Sequence, residues 1–282
     1  MRLRHSYFPP VCSLVALLGT LPLLAEEVIL DYRATVQTVS RTPFGLSIPR
    51  LTKVIGVFVY DPASATDQRI GDPQRGIYTV AAGAAFDARF LDHRVTGSAT
   101  PELQVEDIQV GGPGRSIDTF RYVDGERFLN PPGIMALDGV ADPGIRLALA
   151  ITDSVGSAFV GDELPTIFPL VMPGPFPEFP HTFSLGDNEG TMLLQFGFLA
   201  QRRPNTLQLV DVRLGEDGAF VLFHSKPEKA YDILFSTDLL HWQEIETGYQ
   251  SEGYLTAYAD SGLVSRIQPF PGKAFYRVRE TP

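Results

Sequence analysis

Cysteine is nearly missing from this 282-residue chain. The single one, Cys12, lies in an apolar leader, so the chain beyond residue 25 has none. That excludes thiol nucleophiles, cysteine-ligated zinc and disulfide staples, and leaves burial and hydrogen bonding to hold the fold. Histidine is almost as sparse. After the leader only His93, His181, His224 and His241 remain, and none stands in the H-E-x-x-H spacing of a zinc helix. Basic charge is in deficit, with 23 Lys and Arg against 33 Asp and Glu, a formal net charge of −10. So acidic a chain repels polyanions, which argues against nucleic acid as a partner. The serine elbow of a hydrolase is missing too, because Gly45-Leu46-Ser47-Ile48-Pro49 ends in proline where G-x-S-x-G needs glycine. Tryptophan occurs once, at Trp242, which weakens the expectation of a sugar-stacking face.

Long hydrophobic runs are also scarce, and the one at the start has a specific meaning. Arg2 and Arg4 precede the apolar run Val11 to Leu24, and Ala25 comes before the first acids. A basic head, an apolar core and a small residue make a signal-peptide pattern over residues 1–25. The run is shorter than the roughly 20 residues that cross a bilayer. The expectation is therefore a secreted protein, periplasmic or extracellular, with no membrane span once the leader is removed.

What is abundant points to β structure. The chain has 26 glycines and 23 prolines, which break it into short segments rich in Val, Ile, Phe, Tyr and Thr. Val28 to Ser40 reads as a strand, and Leu51 to Tyr60 as a central strand buried on both faces. The apolar phase slips between Phe86 and Val95 and again in Leu103 to Val110, as a β-bulge would produce. Further strands are expected around Thr119 to Tyr122, Ile145 to Ile151 and Met192 to Phe198, with a hairpin turn at Asp187-Asn188-Glu189-Gly190. The proline-rich stretch Pro165 to Pro180 reads as a rigid connection rather than a polyproline ligand. Gln201-Arg202-Arg203-Pro204-Asn205 shifts in composition and reads as a linker over 202–205. The expected architecture is all-β: a jelly-roll-like antiparallel sandwich over 26–201, then a small fibronectin type III or immunoglobulin-like sandwich over 206–282.

Two family resemblances enter here. The string Ala230 to Ile245 (AYDILFSTDLLHWQEI), then Tyr258-Ala259-Asp260, then Lys273 to Arg279 (KAFYRVR) resembles a module at the C-termini of secreted verrucomicrobial and planctomycete proteins. That resemblance implies an accessory domain without catalysis. Ser236 to Trp242 also resembles a blade motif of β-propeller glycosidases, but it occurs once where a propeller needs at least four blades. Ala34-Thr35-Val36, Val54 to Pro62, Gly76-Ile77-Tyr78 and Ile151 to Thr166 resemble the uncharacterised β-domain of exosortase-sorted (PEP-CTERM) bacterial proteins. No C-terminal sorting tail of that family is read in FYRVRETP, so shared anchoring is not expected.

The candidate site residues come from these strands and turns. Tyr60, Tyr78 and Tyr122 are the ligand-face candidates of the larger domain. Asp238 is expected to cap the turn of the C-terminal module, and Trp242 to anchor its core. Asp61, Asp67 and Asp72 form a candidate calcium turn, with solvated carboxylates as the simpler reading. The leading functional expectation is a non-catalytic extracellular or cell-surface protein that acts by adhesion or ligand binding, its partner an extracellular polysaccharide or a surface or matrix protein. The alternative is a carbohydrate-active enzyme, a polysaccharide hydrolase or lyase, with paired carboxylates in a jelly-roll groove.

Overall fold

A computed structural model describes residues 27–68, 75–80, 85–98, 102–109, 116–124, 134–153, 182–203, 207–215, 218–263 and 273–282. Apart from two single-turn 3-10 segments, Pro43–Gly45 and Pro62–Ser64, every described element is a strand. Among the described residues no helix is long and apolar enough to cross a membrane. The leader and the proline-rich stretch Pro165 to Pro180 lie outside the described residues.

The first part of the chain contributes β1 (Val28–Arg41), β2 (Lys53–Tyr60), β3 (Ala65–Asp67), β4 (Arg75–Val80), β5 (Ala85–Phe90), β6 (His93–Ser98) and β7 (Glu102–Gln109). It continues with β8 (Ser116–Asp124), β9 (Ile134–Leu137), β10 (Val140–Ala141), β11 (Arg146–Asp153), β12 (Thr182–Gly186) and β13 (Gly190–Gln201). These thirteen strands pair antiparallel in one sheet, ordered β10-β9-β6-β5-β2-β1-β13-β12-β11-β8-β7-β4-β3. The chain crosses repeatedly between the flank beyond β2 and the flank beyond β13, depositing mostly hairpins.

That sheet curls on itself. Four strand-to-strand steps separate β5 from β12, about 19 Å in a flat sheet at ~4.8 Å per step. Yet the rings of Phe86 and Phe183, one from each strand, are 6.2 Å apart. Phe58 of β2 also meets Phe183, at 5.7 Å. The two flanks therefore face one another, and the apolar side chains between them form the core of an all-β sandwich. Tyr32 sits at its centre, in ring contact with Phe58, Phe86, Phe183 and Phe196. Period-two alternation puts it there: Val28, Leu30, Tyr32, Ala34 and Val36 are buried, whereas Arg33 is exposed. The Tyr32 hydroxyl donates to Asp87 O at 3.2 Å across Gly56, where a methyl group would collide with both partners.

The expected bulges lie elsewhere. The slip between Phe86 and Val95 is a two-residue turn, Leu91-Asp92, which joins β5 to β6 with Phe90 opposite His93. Leu91 takes the left-handed conformation there, at φ 50°. The pairing of β7 with β8 runs without a shift from Glu102 opposite Val123 to Gln109 opposite Ser116. Register shifts occur instead on β1 against β13, at Arg33/Ala34 and Val36/Thr38. The turn at Asp187–Gly190 is present, with Asp187 Oδ1 accepting from the amides of Glu189 and Gly190 at 2.9 Å.

The rest of the chain supplies β14 (Leu209–Gly215), β15 (Gly218–His224), β16 (Ala230–Ser236), β17 (Gln243–Gln250), β18 (Leu255–Asp260) and β19 (Phe275–Glu280). They form two three-stranded antiparallel sheets, β14-β15-β18 and β17-β16-β19. Between them lie Val221, Phe223, Tyr231, Ile233, Phe235, Tyr258 and Tyr276. Phe223 packs edge-on to Tyr231, and Tyr249 edge-on to Tyr258, which fixes how the sheets face.

Trp242 corrects the expectation of a core anchor. It is only half-buried and stands outside this core. It closes the preceding turn instead, its Nε1 donating to Leu239 O at 3.1 Å. The core volume is filled by Tyr and Phe from the strands. Trp242→Ala is therefore expected to cost about 1 kcal/mol, against about 3–5 kcal/mol for Phe223→Ala. Urea denaturation followed by circular dichroism measures both, and equal losses would restore Trp242 to the core.

Candidate functional site: a cleft at the seam of the two sandwiches

Strand β2 explains how the two sandwiches join. Val54, Phe58 and Tyr60 point into the large core, and Ile55, Val57 and Val59 point the other way. That second row is covered by Leu222, Leu255 and Ala257 of the C-terminal sheet, with Ile29, Ala85, Val210 and Tyr254 around it. Continuous burial along β2 is thus the mark of a docked neighbour, and the small sandwich is seated rather than tethered.

Arg202, the first residue of the segment read as a linker, is held in place by its side chain. It is 9% exposed. Its guanidinium holds both carboxylate oxygens of Asp31 at 2.6–3.1 Å and donates to Tyr254 O at 3.0 Å and Ser225 O at 3.4 Å. One side chain, placed where β13 ends, thereby joins β1 to two loops of the C-terminal module. Further bonds cross the seam. Arg33 Nη2 donates to Val210 O at 3.1 Å, and the Tyr254 hydroxyl donates to Glu27 at 2.9 Å. Burial, with Glu27 close by, pushes the Tyr254 phenol well above its usual range.

A second ionic cluster crosses the seam at β5 and β6. Asp87 is buried, with Oδ2 taking Arg94 Nη2 at 2.7 Å, while Arg89 Nη2 reaches Glu252 at 2.5 Å and Leu255 O at 3.0 Å. Burial raises the Asp87 carboxyl above its ordinary range, against the opposing pull of Arg89 and Arg94.

On the Arg202 side the seam opens into a cleft of about 630 Å³. Its walls come from β1 (Asp31, Arg33), β2 (Ile55), β13 and the residues just beyond its end (Gly197, Ala200, Arg202, Arg203), and the C-terminal module (Gln208, Val210, His224, Leu255). His224 is buried, with Nε2 3.3 Å from Asp31 Oδ1 and Nδ1 without a hydrogen-bond partner among the described residues. Burial lowers its pKa to about 4; Asp31 opposes that shift, and Arg202 and Arg33 reinforce it. At neutral pH His224 is an uncharged imidazole in the wall of the cleft.

The residues singled out in the sequence do not meet here. Tyr60 is fully buried in the large core, which raises its phenol pKa well above the usual value and removes it from any ligand face. Tyr78 is half-buried against the same core. Tyr122 stands on β8 opposite Leu103 and Leu149, and its side chain lies outside the described residues. Asp238 accepts at Oδ1 from the amides of Leu240 and His241, both at 2.8 Å, and at Oδ2 meets His241 Nδ1 at 2.7 Å. Those bonds hold its carboxyl well below the ordinary range. Asp61 Oδ1 is engaged by the Ala63 amide at 2.9 Å, Asp67 sits on β3 opposite Tyr78, and Asp72 lies outside the described residues. Among the described residues no group of three or more His, Cys, Asp or Glu could hold a metal ion.

No protein-family model matches this chain, no curated protein matches it, and no solved structure matches it.

Proposed function

We propose that the chain is a secreted, non-catalytic binding protein, and that the seam between its two sandwiches is where it holds its ligand. The observation that carries this reading is the cleft itself: about 630 Å³, within the ordinary range of small-molecule sites, and set at the boundary of two modules. Its walls are fixed in advance by the apolar row on β2 and by the Arg202 clasp, so binding carries little cost for ordering them. The signal-peptide pattern of residues 1–25 supports export, and the resemblance carried by Ala230 to Arg279 supports an accessory role for the C-terminal module.

The alternative, a polysaccharide hydrolase or lyase, needs two carboxylates facing one reacting bond. The carboxylate that lines the cleft is Asp31, and it is already occupied by Arg202. This favours binding over hydrolysis. The test is a glycan array together with a polysaccharide-degradation screen on residues 26–282. Retention of a ligand without product release is the expected result; release of shortened product from any polymer would overturn the proposal.

A further inference from the structure

The geometry points to a carboxylate-bearing small molecule as the ligand class of the seam cleft. This rests on the cleft being the binding site and adds the chemistry of the molecule that enters it. The chain as a whole carries a formal net charge of −10, but the cleft reverses that sign. Arg33, Arg202 and Arg203 line it against one acid, Asp31. Arg202 and Asp31 neutralise each other through their two-pronged contact. His224 is uncharged at neutral pH. What remains is the charge of Arg33 and Arg203.

Those two guanidinium groups keep donors to spare. Arg33 uses Nη2 on Val210 O, and Arg203 is exposed with no hydrogen bond or ion pair among the described residues. A guanidinium presents its N–H groups as a planar fork that matches a carboxylate, and such charge-assisted bonds are about twice as strong as neutral ones. Beside the two arginines the wall has the neutral amides of Gln201 and Gln208 and an apolar or small portion, Ile55, Val210, Leu255, Gly197 and Ala200. Such a wall leaves room for a ligand body beside the charged end. The rings in the described lining are Tyr32, committed to the core, and the imidazole of the buried His224. A neutral sugar would find no free aromatic face to stack on, whereas an acid finds two cations.

Calorimetric titration of residues 26–282 with D-glucuronate, glutarate and D-glucose tests this. The glucuronate and glutarate arms separate a sugar acid from a plain organic acid as the source of the carboxylate. Arg203→Ala removes one cation without touching a described contact. Gly197→Leu fills the cleft, since a Cβ there comes no closer than 3.7 Å to its nearest neighbour, Arg33 O. The expected result is binding of at least one carboxylate, none of glucose, a loss of affinity of about tenfold in Arg203→Ala and abolition in Gly197→Leu. Carboxylate binding that survives Gly197→Leu would overturn the inference by placing the anion elsewhere. Glucose binding that Gly197→Leu blocks, with no carboxylate bound, would overturn the ligand class and leave the cleft as the site. Binding of none of the three probes would overturn both.

Discussion

Arg202→Ala is expected to cost about 3–5 kcal/mol of folding stability, a large loss for a residue that composition places between domains. The magnitude reflects the groups left behind. Removing one partner of a buried ion pair strands the other, and such breaks cost several kcal/mol. Asp31 would keep a side chain only 15% exposed with its principal counter-charge gone. Tyr254 O and Ser225 O would also lose a charged donor each. Arg202→Lys should recover part of the loss, because an ammonium restores the charge but cannot bridge a carboxylate and two carbonyls with one rigid fork. Equilibrium urea unfolding of residues 26–282 measures both variants. A loss below about 1 kcal/mol for Arg202→Ala would show that the apolar row on β2 joins the sandwiches unaided.

The fold is legible in the sequence where one face of a strand meets one core. β1 declares itself by alternation, and the turn at Asp187–Gly190 by residues that tolerate its geometry. The uninterrupted apolar run of β2 is legible as burial on two faces, but not as burial against a second module. Periodicity reports how many faces are covered, never by what. The same limit produces the misplaced bulges: a two-residue turn such as Leu91-Asp92 shifts the apolar phase just as an inserted residue does. The size of Trp242 points to a core, while its position in a turn keeps it outside.

The site is almost illegible, and the reason is its construction. Asp31 and Arg33 share β1, Arg202 reaches them from the end of the neighbouring β13, and His224 is added only by the docking of the C-terminal sandwich. Nothing in the spacing of Asp31 and Arg202, 171 positions apart, predicts a pair. The one available signal is Arg202-Arg203 immediately after an alternating strand. Composition marks that pair as part of a linker; the contacts Arg202 makes from the end of β13, beside β1, are what composition does not show.

Acidification gives the second large effect, and His224 sets its direction. A histidine normally titrates near 6.5, and in the folded chain His224 does so at about 4. Between those values the unfolded chain binds the proton and the folded chain does not. Stability is therefore full above about pH 6.5, falls as the pH drops through this window, and has lost the whole contribution by about pH 4. At about 1.4 kcal/mol for each pH unit between the two values, the loss is about 3 kcal/mol. Asp87 works in the opposite sense, because its raised carboxyl favours the folded state as it takes up a proton at the acid end. The two are separated by His224→Gln, which keeps an uncharged polar side chain and cannot titrate. Stability measured by urea unfolding at intervals from about pH 7 to about pH 4 should fall more steeply in the wild type than in this variant. In Arg202→Ala the wild-type slope should flatten, since losing a cation while Asp31 stays moves the His224 pKa back towards 6.5. Parallel curves for the wild type and His224→Gln would mean that His224 carries its charge inside the fold, and the Asp31–Arg202 pair would then be a three-membered ionic cluster.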